Sequence, residues 1–170
     1  RKRWLLKAPE HQVHLDALLA VYPDAHIVQT HRDPLKCMAS TTSLMGTLYY
    51  MRSDQPFQAS MFEDIIMGEA TAARLERVMA QREDGTGPAS NIIDSRYQDL
   101  MDDPMVCIAA IYEHFGMSLS APARKNMANY LADKPKGKFG AHEYDMDGGR
   151  QKERALFKRY QDRYGVPNEV

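Results

Sequence analysis

Residues 25–34, AHIVQTHRDP, place a strand, its end and a helix start side by side with no room for a loop. AHIVQTH is a short apolar run of strand type. Asp33 fits a helix N-cap, and Pro34 fits the first helical position, where its missing N–H costs nothing. The spacing predicts a helix that begins directly after Arg32 and runs through Ser40 towards Leu48. A strand that passes straight into a helix is half of a βα unit. Repetition of that unit builds a parallel sheet covered by helices.

The rest of the chain repeats the alternation. RWLLKAP is a short apolar run ended by Pro9 and reads as a buried strand. PEHQVHLDALLAVYP, bracketed by Pro9 and Pro23, reads as a helix with Val13, Leu15, Leu18 and Leu19 on one face. Residues 57–83 read as one long helix, with Met61, Ile65, Gly68, Ala72, Leu75 and Met79 near a 3.6-residue spacing. DGTGPAS (84–90) is a loop, and NIIDSRY is a third strand. DPMVCIAAIYEHFGM is a helix capped by Asp103 and stopped by Gly116, and SAPARKNMANYLAD is another. Residues 134–149 form a long polar loop, and RQKERALFKRYQDRYG closes as a basic amphipathic helix with a solvated face. Ligands of such sheets bind at the carboxyl ends of the strands. Lys7, Arg32 and Tyr97 all fall at such ends.

Composition narrows the partners. A chain of 170 residues suits a single domain, 1–170, and 44% hydrophobic with 26% charged residues is ordinary for a globular protein. The net charge of -1 offers no global field for nucleic acid or membrane, so any anion site must be local. No apolar run approaches the roughly 18 residues of a membrane span, and RKRWLLKAPEH lacks the apolar core of a signal peptide. Cys37 and Cys107 form neither a metal spacing nor a disulfide framework, which favours a reducing cytoplasm. The histidines show no zinc spacing, so no metal is expected. The eleven methionines fall mainly on apolar helix stripes and are expected in the core. The oligomeric state stays open.

His31-Arg32-Asp33 is also the tripeptide of a protein-kinase catalytic loop. That loop needs Asn five residues after the Asp, where this chain has Met38, and no Asp-Phe-Gly follows. The helix start at Pro34 argues for other chemistry. Amide donors and the positive end of the helix dipole gather beside Arg32, whose planar fork suits phosphate or sulfate. Ser40, two turns on, offers a hydroxyl. An arginine at a strand end can equally pair with a surface carboxylate.

IVQTHRDPLKCMAS resembles the 3'-phosphate-binding segment of sulfotransferases that use 3'-phosphoadenosine 5'-phosphosulfate, with an apolar strand, Arg, Asp, Pro, and Ser eight residues after the Arg. SRYQDL resembles the family's stretch whose Tyr lies by the adenine, and KGKFG (136–140) resembles its Lys-Gly-x-x-Gly loop. WLLKAPEHQVHLDALLAVYPDAHIVQTHRD resembles the Lys-x-Pro segment of the bacterial and tyrosylprotein/heparan branches. The resemblance implies a three-layer α/β parallel sheet of the P-loop-like sulfotransferase fold. It implies Arg32, Ser40, Tyr97, Lys136, Gly137 and Lys138 as cofactor-binding residues, and Lys7 as the group that stabilises the transferring sulfuryl. Pro135 replaces the arginine usual before Lys136, and Pro9 replaces the histidine that cytosolic members use as base. His11 is the candidate base, with His14 and Glu10 behind it.

The family's Gly/Ser/Thr-rich 5'-phosphosulfate loop has no counterpart here, and the chain opens inside a strand-like run without Met. The expectation is the C-terminal part of the family domain, with doubtful catalysis by this chain alone. The implied reaction moves a sulfuryl group to a hydroxyl or amine on a small molecule, carbohydrate, lipid or peptide, without metal. Two alternatives stand beside it: a non-catalytic nucleotide-binding module, and a small-molecule kinase of the same architecture.

Overall fold

The structure is a computed structural model that describes residues 4–135 and 150–170. A 3-10 turn over Pro9–His14 leads into helix α1 (Leu15–Val21), strand β1 (Ile27–His31) and helix α2 (Pro34–Tyr50). A second 3-10 turn precedes α3 (Glu63–Ile66) and α4 (Gly68–Glu83). Strand β2 (Ile92–Arg96) is followed at once by α5 (Tyr97–Asp102), then α6 (Pro104–His114) and α7 (Ala121–Asp133). A 3-10 segment, Arg150–Phe157, runs into α8 (Lys158–Tyr164).

β1 and β2 pair in parallel, with Ile27 opposite Ile92 and His31 opposite Arg96. Side chains alternate across the sheet. Gln29, His31 and Asp94 point to the face covered by α4 and α8, where Arg82 and Tyr160 bond them. Ser95 points the other way, to Cys107 on α6. Helices therefore cover both faces, as the α/β reading requires.

The core lies between α2, α4 and the C-terminal helical segment. Leu35, Met38 and Phe157 pack together with Ala72, Leu75 and Val170, and Met79, Tyr160 and Val166 form a second cluster on Leu75 and Tyr164. Met38 and Met79 are core residues, whereas Met51, Met61 and Met67 are exposed. The expectation of methionines in the core thus holds for some and not others.

The predicted caps are in place. The Asp33 carboxylate accepts from the Leu35 N–H, and Asp103 accepts from Met105 and Val106. Ser120 caps α7 in the same way, accepting from Ala123. Three expectations need correction. The described part of RWLLKAP is not a strand: residues 4–8 pair with no described strand, and Trp4 and Leu5 are 90% and 96% exposed. A strand exists only where a neighbour takes its backbone hydrogen bonds, and apolar composition does not supply one. The stretch 57–83 is not one helix. Met67 turns extended (φ -78°, ψ 149°), and Arg74 donates to the freed carbonyls of Asp64 and Ile65. Gly68, just after the break, lets the Glu153 side chain approach so closely that a Cβ would stand 2.7 Å from it. The basic face of the last helix is not merely solvated. Arg159 bonds Glu76 and Glu83 on α4, and Arg163 bonds Glu83.

Candidate functional site

The parallel register decides which residues meet at the sheet's carboxyl edge. His31 and Arg96 are the last paired residues, so Arg32 and Tyr97 follow side by side as both strands turn into helices. The Arg32 guanidinium lies over the Tyr97 ring, with Cζ 3.7 Å from the centroid. Such stacking fixes the plane of the guanidinium. Its edge is taken by a carboxylate: Nε donates to Glu169 Oε1 and Oε2 at 2.8 and 3.0 Å, and Nη2 donates to Oε2 at 2.6 Å. That hydrogen bond holds the Arg32 pKa above its ordinary value. A cleft of about 350 Å³ opens here, lined by Arg32, Arg96, Tyr97, Met101, Asp102 and Glu169, among others.

Glu169 reaches the site because the chain doubles back after α8. Gly165 ends that helix in the left-handed conformation (φ 61°), which glycine adopts without strain. The returning segment is fastened to Asp33. One Asp33 oxygen accepts from Leu35 N–H and from Arg154 Nη1 at 2.7 Å, and the other accepts from the Glu169 backbone N–H at 2.7 Å. Arg154 also donates to the Val170 carbonyl at 2.7 Å. Asp33 is fully buried, and each of its oxygens has a charged or amide partner, as a buried carboxylate requires.

Beneath Arg32 lies a second network. His31 is buried, with Nδ1 2.9 Å from the Tyr160 hydroxyl and Nε2 2.9 Å from Asp94 Oδ1. Arg82 donates to Asp94 and to Gln29. Burial pushes the Asp94 carboxyl up, but the hydrogen bonds from His31 and Arg82 overcome it and hold it at about 2. Burial also drives the Tyr160 hydroxyl well above its usual value. The network ties β1, β2, α4 and α8 together one residue before Arg32.

Arg32 and Tyr97 are thus brought together at the carboxyl edge, Tyr97 as the first residue of α5. Ser40 is half-buried on the second turn of α2. Lys7 is exposed in the unpaired segment, His11 is half-buried and His14 exposed in the first 3-10 turn, and none of the three lines the Arg32 cleft. Lys136, Gly137 and Lys138 lie outside the described residues. Sequence reasoning missed Glu169, Arg154, and the His31–Asp94–Tyr160 network. The Gly165 helix stop and Pro167 signalled a turn after α8, but nothing local named Asp33 as its anchor.

Comparisons with known proteins agree with this architecture. The sequence model of the sulfotransferase family matches residues 1–121. Omega-hydroxy-beta-dihydromenaquinone-9 sulfotransferase Stf3 of Mycobacterium bovis is 27% identical over 169 residues, 97% of this chain. The same enzyme of Mycobacterium tuberculosis matches equally. The chain spans 42% of the length of these relatives. The crystal structure of sulfotransferase STF9 from Mycobacterium avium superposes with a TM-score of 0.74 at 27% identity, covering 98% of this chain and 43% of that one. Sulfotransferase STF1 from Mycobacterium tuberculosis gives 0.61 at 39% identity, over 78% of this chain and 36% of that one. Matched from residue 1 to residue 121 by the family's model, and sharing its fold with two solved members, this chain belongs to the sulfotransferase family.

Proposed function

We propose that this chain carries the 3'-phosphate side of a sulfotransferase site that uses 3'-phosphoadenosine 5'-phosphosulfate, and that it serves transfer of a sulfuryl group to a hydroxyl. The observation that supports it is the pairing of Arg32 with Tyr97 at the carboxyl edge of β1 and β2, beside the N-terminus of α2. A fixed guanidinium at a helix start is a fitting seat for a phosphate. The ring beside it offers a π-face to a purine. The cleft of about 350 Å³ gives a nucleoside room there.

The cofactor would bring the sulfuryl group and a phosphate leaving group. Arg32 and Ser40 would hold the 3'-phosphate, joined by Lys136, Gly137 and Lys138, with Tyr97 against the adenine. Lys7 would stabilise the transferring sulfuryl, and His11 would take the acceptor proton. By analogy with phosphoryl transfer, such a reaction needs positioning and cationic stabilisation more than covalent help. The acceptor we infer is a small-molecule or lipid alcohol. The Stf3 relatives are named for a hydroxylated menaquinone, which supports that class.

Calorimetric titration with adenosine 3',5'-bisphosphate, ADP and AMP tests the reading. Selective binding of the bisphosphate is the expected result. Equal binding of the three nucleotides would overturn it.

A further inference from the structure

Among the described residues, Arg96, Arg154 and Arg32 near the carboxyl edge are each matched by a carboxylate. Arg96 is held by Asp99, Arg154 by Asp33, and Arg32 by Glu169. The first is an exposed pair of near neighbours in sequence. The second is locked by the buried Asp33, which also caps α2. The third is different in kind. Glu169 comes from the returning tail and grips the Nε–Nη2 edge of Arg32 with both oxygens, at 2.6–3.0 Å. A phosphate takes an arginine fork in the same way.

From this geometry we infer that Glu169 is the specificity-determining gate of the Arg32 site. Its carboxylate occupies the seat of an incoming phosphate, and a nucleotide gains Arg32 only by displacing it. The inference rests on the reading of Arg32 as a 3'-phosphate ligand. The tail main chain is fixed independently of the gate, by Glu169 N–H on Asp33 and by Arg154 on the Val170 carbonyl. The exchange is therefore a swing of one side chain, and the tail stays in place. Because it is tethered, the carboxylate competes at high effective concentration. A phosphomonoester carries about -1.5 to -2 charges at neutral pH against one on the carboxylate. A 3'-phosphate can win this exchange, whereas a singly charged anion meets an arginine already matched. The gate thus favours nucleotides that bear a phosphomonoester at this position.

The test is calorimetry with adenosine 3',5'-bisphosphate and AMP on the wild type, Glu169→Gln, Asp102→Asn and Arg32→Ala. Glutamine keeps the shape and removes the charge. Asp102 lines the same cleft without bonding Arg32, so its variant measures the general effect of one lost charge. The expected result is that Glu169→Gln tightens the bisphosphate by about two- to fivefold, the order of one exposed ion pair. Asp102→Asn gives a clearly smaller gain, and AMP changes little in either. Unchanged or weaker binding by Glu169→Gln, or an equal gain from Asp102→Asn, overturns the gate. If Arg32→Ala still weakens the bisphosphate by about tenfold or more in that case, the phosphate reading survives and the gate alone falls. If Arg32→Ala binds the bisphosphate as well as the wild type, or if no variant binds it, the phosphate reading falls and the gate with it.

Discussion

The Arg32 guanidinium and the Tyr97 ring stack 3.7 Å apart because β1 and β2 end in register. Neither residue has to be placed by a loop of its own. The sheet places one, and the ring orients the other.

That stacking is worth testing by itself. Tyr97→Ala removes the surface on which Arg32 lies, and exposed cation–π pairs are worth about 0.5–1 kcal/mol. Affinity for adenosine 3',5'-bisphosphate should fall about two- to fivefold from that loss alone, and further if adenine also uses the ring. Tyr97→Phe keeps the face and should bind like the wild type. Calorimetry on the two variants separates ring from hydroxyl.

Asp33 should matter most to stability. Asp33→Ala strips the cap from α2, the anchor from the tail and the charge partner from half-buried Arg154. Breaking one side of a buried ion pair costs about 3–5 kcal/mol. Urea denaturation should show a loss of that order, and limited proteolysis should cut after Gly165 sooner than in the wild type.

Acid should loosen the fold through Asp94. Its folded carboxyl titrates at about 2, below the ordinary carboxylate range, so the folded state favours the charged form. The stabilisation is fully present above about pH 4, where the unfolded carboxylate is ionised, and is lost as pH falls towards 2. Urea midpoints between pH 5 and pH 2, on the order of these carboxyl values, should drop more steeply for the wild type than for Asp94→Asn.

Gly87 sits in the loop before β2 at φ 79°, and a Cβ there would stand 2.5 Å from Leu19 Cδ1. Gly85 has φ 76° but open space around it. Alanine at either position carries the left-handed backbone cost of about 1–2 kcal/mol. Gly87→Ala adds a clash with α1, so its denaturation midpoint should lie below that of Gly85→Ala.

Local grammar made much of this fold legible. The apolar run before Arg32, the Asp33-Pro34 start and the Asp103 cap each concern residues a few positions apart, and each is where the sequence puts it. What local grammar cannot express is a partner far along the chain. Glu169 meets Arg32, and Arg154 meets Asp33, only because α8 ends at Gly165 and the chain returns. The same limit explains the missed network of His31, Asp94 and Tyr160, which spans β1, β2 and α8. RWLLKAP has strand composition, but pairing depends on a neighbour, and composition does not say whether one is there. The break at Met67 is similar: apolar spacing continues across it, while the close approach of Glu153 at Gly68 is a tertiary fact.

The central claim is that Arg32 reads a 3'-phosphate, and a binding cycle tests it most directly. The affinities of adenosine 3',5'-bisphosphate and AMP are measured on the wild type and on Arg32→Ala. A charge-assisted contact of about 1.5–3 kcal/mol predicts that the bisphosphate loses roughly tenfold to a hundredfold in the variant. AMP, which lacks the 3'-phosphate, should lose little, so the wild-type preference for the bisphosphate collapses. An equal loss for both nucleotides, or none for either, would contradict the account.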